Sequence, residues 1–176
     1  MVKEGVWILT VVLAIAAGWT DWRSRRIPNW LTLSGLVLGI ALNSAAFGWS
    51  GARNSLLGAA LGLALLLPFV LVRSLGAGDW KLVGALGACL GPHHLINVLV
   101  GTLLIAGVMA LGLIVWKKRV RETLRNLGRM LAAFFTLHLP GPELSLDNPQ
   151  SLKVPFGVAV AVAVILYTAR QAWGVS

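Results

Sequence analysis

One cysteine, Cys89, and a charged fraction of only 12% are the scarcities that matter most in this chain of 176 residues. A lone thiol in an apolar stretch excludes a disulfide framework and a thiolate zinc site. Charge this sparse, beside 57% hydrophobic residues and a mean hydropathy of +0.82, excludes an ordinary soluble domain. The alternation of barrel strands is missing as well, whereas apolar stretches run to about 20 residues, enough as helix to cover a hydrocarbon core of roughly 30 Å. The fold class that follows is all-α, a polytopic bundle with the lipid bilayer as its surroundings. A net charge of +9 would suggest nucleic acid in a soluble protein. Here the basic residues gather in short segments between spans, where they report topology, and no nucleic-acid partner is expected.

Charge, proline and tryptophan bound six predicted spans, at residues 6–20, 30–47, 56–72, 80–91, 95–116 and 154–173, in a single membrane unit covering 1–176. The opening Lys3-Glu4 and the apolar run after it resemble a signal peptide, but no small-residue cleavage site precedes Asp21, so the run is read as a retained first span. With Arg23, Arg25 and Arg26 on the cytoplasmic side, alternation places twelve of the fifteen basic residues inside and leaves Lys3, Arg53 and Arg170 outside. Both termini are then outside. The tryptophans fall at the interfaces on the same map, Trp7, Trp49 and Trp173 at the outer one and Trp19, Trp22, Trp30, Trp80 and Trp116 at the inner one.

The span at 80–91 is short for the bilayer, and Pro92-His93-His94 interrupts it. Its small residues, Gly84, Ala85, Gly87, Ala88 and Gly91, predict close approach of neighbouring helices. Residues 117–139 carry Val120, Leu124, Leu127, Leu131 and Phe134 at helical spacing with basic residues largely elsewhere, the pattern of an amphipathic helix in the cytoplasmic interface or of an extension of the fifth span. A turn-rich loop, 140–149, leads to the last span.

Two acids stand at span ends: Asp21, before Trp22-Arg23-Ser24-Arg25-Arg26-Ile27-Pro28-Asn29, and Asp79, in Gly76-Ala77-Gly78-Asp79-Trp80-Lys81-Leu82. An ionisable group at such a place is costly enough to be a functional hypothesis by default. Two spans, out and back, separate them, so both lie on the cytoplasmic side. Two carboxyl groups that approach until they cannot both ionise share a proton, and such a dyad supplies a base to activate water and an acid to protonate a carbonyl oxygen. Plainer readings stand beside this one. Asp21 caps the next element or pairs with Arg23 or Arg25, Asp79 pairs with Lys81, and Gly76 and Gly78 are turn glycines that would still shape a site. Lys81 either tunes the dyad or snorkels to the interface. Pro28 and Asn29 set the turn into the second span, and Pro155 suits the first turn of the last helix. His93 and His94 lack ligating companions on the outer side and read as loop histidines, so no metal is expected.

The segment 76–82 resembles the GxGDxKL motif of type IV prepilin peptidases, the GxGD-type membrane aspartic proteases. Asp21 followed by Ile27-Pro28-Asn29 is similar to the first-aspartate segment of that family, and Pro155-Phe156-Gly157 is similar to a motif it carries at its last span. The resemblance implies a bacterial inner-membrane endopeptidase in which Asp21 and Asp79 are catalytic and Ile27, Pro28, Asn29, Gly76, Gly78, Lys81 and Pro155 shape the site. Its substrate would be a pilin-type precursor, cut at the cytoplasmic face to release a short basic leader, with no cofactor. A lateral opening between spans would admit the apolar helix of the precursor. The paired Cys-x-x-Cys domain of the larger, methylating members has no counterpart in the roughly 20 residues before Asp21, so the resemblance is to the short, peptidase-only form. Methylation of the product is expected to need another protein. Rival readings are a proton-coupled small transporter, a non-catalytic pilus-assembly component, and a GxGD protease of signal-peptide remnants.

Overall fold

The computed structural model describes residues 2–71, 75–117 and 154–174, and these residues form four helices: α1 (Val2–Ser24), α2 (Asn29–Leu71), α3 (Ala77–Trp116) and α4 (Phe156–Ala172). The predicted interfacial segment at 117–139 and the loop at 140–149, with Arg73, His138 and Lys153, lie outside the described residues, apart from Lys117 at the end of α3. Three of the helices, α1, α2 and α3, are long and apolar enough to cross a membrane. Burial agrees with a lipid surrounding. Large aliphatic side chains such as Ile8, Leu103 and Val108 stand 64–73% exposed, whereas the interior is built from glycine, alanine, valine and a few leucines. The chain is a helical membrane protein.

At about 1.5 Å per residue, the 43 residues of α2 and 40 residues of α3 would make rods twice as long as a bilayer core is thick. Neither is a rod. Gly48 (φ 61°, ψ −142°) and Gly91 (φ 72°, ψ 174°) take backbone angles essentially closed to residues with a side chain, and the chain doubles back at each. The contacts prove the reversal. Asn43 Nδ2 and Ser55 Oγ both donate to the Ala88 carbonyl, at 3.1 and 2.6 Å, although a straight helix would hold residues 43 and 55 about 18 Å apart. A Cβ built on Gly62 would touch both the Val83 carbonyl and Leu95 Cδ2, at 2.9 and 3.2 Å, so α3 reverses in the same way. Pro92, just past the break, occupies the first turn of the returning arm, where its missing N–H is not needed.

The first arm of α3 (77–90) is the centre of the bundle. Every residue from Leu82 to Gly91 is buried, as expected of a helix apolar on all sides. Its small residues do what their pattern predicts: a Cβ on Gly39 would strike Cys89 Sγ at 2.8 Å, and one on Gly87 would run into the Gly58 carbonyl, so both arms of α2 approach it nearly backbone to backbone. In lipid there is little hydrophobic gain in bringing helices together, so close packing and interhelical hydrogen bonds hold them. Asn43 supplies two such contacts, to the carbonyls of Ala88 and Cys89, and also reaches the Gly39 carbonyl of its own helix.

The helix bounds depart from expectation at two places that matter. The first span was predicted to end at Thr20, but α1 continues to Ser24, so Asp21 projects from the last helical turn and not from a loop. Arg25, in the left-handed conformation (φ 54°), stops the helix by donating its N–H to the Asp21 carbonyl at 2.9 Å. His93 and His94 were expected in a loop but begin the returning arm of α3. His94 Nδ1 meets Tyr167 Oη at 2.8 Å, and Asn97 and Gln171 reach the same hydroxyl, so the histidine helps tie α3 to α4 at the end of the bundle opposite Asp21.

Candidate active site

Four helix ends converge where the two aspartates lie. Asp79 occupies the third position of α3, after the extended N-cap Gly76 (φ −68°, ψ 141°). A glycine offers no side chain to cap the helix, and Asp79 instead reaches back to accept the Gly76 backbone N–H, the acidic half of a capping box. The carboxyl of Asp79 is half-buried and feels the charge of Asp21, which brings the two acids of the sequence pattern into one electrostatic unit.

Asp21 is more deeply enclosed, 7% exposed. Its Oδ2 accepts the Gly157 N–H at 2.8 Å, and the Val158 amide, next in the same turn, adds a weaker pull on the same carboxylate. The charge of Arg25 also acts on it. Of the plainer readings, then, capping is real, but the helix capped is α4 and not the next element in the chain.

The segments between these acids lock together. Ile27 is buried under Gly78, where a Cβ would stand 3.3 Å from Ile27 Cβ and 3.4 Å from its carbonyl oxygen. A side chain at Gly78 would require Ile27 to give way by a few tenths of an ångström. The Pro28 carbonyl accepts the N–H groups of Leu31 and Thr32 and so starts α2, as the turn reading of Pro28 and Asn29 predicts. Asn29 then accepts, on Oδ1, the ammonium of Lys81 at 3.0 Å. Lys81 therefore stitches the Ile27-Pro28-Asn29 segment to the helix of Asp79. Pro155 is buried and is the N-cap of α4, one position before the first helical turn.

Beside this cluster lies a groove of about 420 Å³ between the two arms of α2 and the start of α3, with Asn29, Trp30, Leu36, Leu63, Trp80 and Lys81 among its lining. Trp80 is fixed in its wall by an indole N–H bond of 2.7 Å to the Leu63 carbonyl. The groove is chiefly apolar, with Lys81 and Asn29 at one rim. Among the described residues, no three His, Cys, Asp or Glu side chains cluster to hold a metal ion.

All the predicted site residues thus meet at one end of the bundle. Gly157 is the residue in contact with the aspartates that reading for chemistry missed. It was noticed only as part of a Pro-Phe-Gly string, and its use, an amide aimed at a carboxylate 136 positions away, leaves no periodic trace.

Residues 8–111 match the family model described as the type IV leader peptidase family. No curated protein and no solved structure gives a match.

Proposed function

The chain belongs to the type IV leader peptidase family, and on that premise we propose that it is an aspartic endopeptidase whose Asp21 and Asp79 activate water to cut the leader from a pilin-type precursor. The observation that carries this reading is the meeting of three distant segments around two carboxyl groups: Asp21 is bonded to Gly157, Gly78 is packed on Ile27, and Lys81 is bonded to Asn29. One carboxylate takes a proton from water, the water oxygen attacks the scissile carbonyl carbon, and the other carboxyl gives its proton to the carbonyl oxygen. Collapse of the tetrahedral species then breaks the C–N bond as the amine leaves with a proton from the dyad. Water is thereby divided between the two products, with no metal or organic cofactor in the scheme.

The groove along Trp30, Leu36 and Leu63 supports lateral entry of the apolar precursor helix, since it is chiefly apolar, includes the exposed Trp30 and Leu33, and reaches Trp80 and Lys81, the residues after Asp79. The basic leader would lie beyond it on the polar side. Six crossings in one unit over 1–176, both termini outside and the site facing the cytoplasm of a bacterial inner membrane complete the proposal, together with an interfacial helix at 117–139. The reversals at Gly48 and Gly91 and the one-sided distribution of basic residues support that arrangement.

The test is leader removal from a pilin-type precursor in membranes, followed by mass spectrometry, for the natural chain and for Asp21→Asn and Asp79→Asn. Both variants are expected to accumulate at normal levels and to leave the precursor intact. Cleavage that survives either substitution would discard the dyad.

A further inference from the structure

Asp21 is the side chain through which α1 and α4 meet at the site. α4 begins at Pro155, which has no side-chain acceptor for the amides of its first turn, and the carboxylate of Asp21 takes that role from α1. The fit leaves no room. A Cβ on Gly157 would lie 2.9 Å from Asp21 Cβ, 3.1 Å from Asp21 Oδ2 and 3.2 Å from the Ala17 carbonyl oxygen. One turn earlier in α1, Gly18 allows the same close approach, since its Cβ would stand 2.9 Å from Ala161 Cβ. Asp79 is held differently, by one amide of its own helix.

We propose that the first turn of α4 positions the base of the reaction: the amides of Gly157 and Val158 hold Asp21 as the ionised carboxylate that takes the proton of the attacking water. The inference rests on the catalytic reading of Asp21 and Asp79 and deepens it by dividing their roles. Two N–H donors at a helix N-terminus favour a charged carboxylate. Asp79, with one donor and a charged neighbour, carries the shared proton and passes it to the scissile carbonyl oxygen. In the forward step a water O–H bond breaks, its proton goes to Asp21, and its oxygen bonds to the carbonyl carbon. When the C–N bond breaks, that proton leaves Asp21 with the amine and the hydroxyl formed on the carbonyl oxygen returns its proton to Asp79 as C=O reforms, so Asp21 is again charged and Asp79 again protonated. Gly157 is thus a positioning residue, needed for its amide and for its lack of a side chain.

The experiment measures kcat, KM and thermal unfolding for the full-length enzyme in liposomes acting on a pilin-type precursor. Gly157→Ala moves the carboxylate off its amides and is expected to lower kcat about a hundredfold, the size of a misplacement near 1 Å. Val158→Pro deletes one donor at a first-turn helix position that tolerates proline and sets its ring carbon where that N–H pointed at Asp21, so it is expected to lower kcat at least about tenfold. KM should stay within about twofold in both, the mark of an interaction that matters in the transition state. Gly101→Ala, whose Cβ meets Ala163 at an ordinary 3.7 Å, is the control expected to keep wild-type rates. If Gly157→Ala does not fold, Val158→Pro decides. Wild-type kcat in a folded Val158→Pro enzyme, or a raised KM with unchanged kcat, overturns the proposal. Cleavage by Asp21→Asn or Asp79→Asn would instead overturn the reading on which it rests.

Discussion

Replacing Gly76 by serine should separate stability from activity in the turn that holds Asp79. The backbone at Gly76 (φ −68°, ψ 141°) is open to any L-residue, and the only atoms near a Cβ there belong to Asp79. A serine hydroxyl at the N-cap accepts an amide of the first turn, worth a few tenths of a kcal/mol over glycine, and the stiffer unfolded chain adds about 0.4–1 kcal/mol. The variant is therefore expected to melt no lower than the natural protein. Activity should move the other way. The new Cβ stands 3.0 Å from Asp79 Oδ2, where ordinary contact begins at 3.4 Å, so the carboxylate must shift by about 0.4 Å. If a 1 Å misplacement costs about 10²-fold in rate, that shift costs about six- to tenfold in kcat. Cleavage of a pilin-type precursor in liposomes, with melting followed on the same preparation, reads both quantities. Full activity in Gly76→Ser, or a lowered melting temperature, would refute the reasoning.

Asn43→Ala removes the donor shared by the Ala88 and Cys89 carbonyls and should cost about 1–2 kcal/mol in detergent unfolding, for two interhelical hydrogen bonds at about 0.6–1 kcal/mol each. Gly58→Ala drives a methyl group into the Gly87 carbonyl and the Gly91 Cα and should destabilise by about 1–3 kcal/mol or more, whereas Gly107→Ala, with open space around it, should be silent in the same assay. Lys81→Met breaks the 3.0 Å bond to Asn29. Because Lys81 is exposed, unfolding should shift by less than about 1 kcal/mol, while precursor cleavage slows.

What the residues disclosed in advance was mostly what short spacing encodes. Asp21 before Ile27-Pro28-Asn29, Asp79 between Gly78 and Trp80, and the small residues from Gly84 to Gly91 could be read directly, because each acts on neighbours in the chain or on one helix face. The reversals also left a trace, since Phe47-Gly48-Trp49 and Gly91-Pro92 interrupt apolar runs too long for one crossing. Tertiary partners left none. The bond from Gly157 to Asp21, the seat of Ile27 under Gly78 and the link from Lys81 to Asn29 join residues 50 or more positions apart, and neither propensity nor period records such pairings. The end of α1 was misjudged for a related reason: polarity begins at Thr20, but the helix is carried on to Ser24 because α4 covers Asp21 and Arg25 supplies the stop.

The single-glycine reversals at Gly48 and Gly91 distribute the slack of the chain unevenly. At that end the arms of α2 and of α3 are joined by almost nothing, so there is little chain to yield, to be clipped, or to accept an inserted tag. The described break between α1 and α2, at residues 25–28, falls instead beside Asp21, as do the first residues of α3 and α4. The bundle is therefore closed tightly at one pole and made of separate helix ends at the other. On the proposed reading, a precursor helix would be met by the helix starts at that pole, with the far pole as the fixed end.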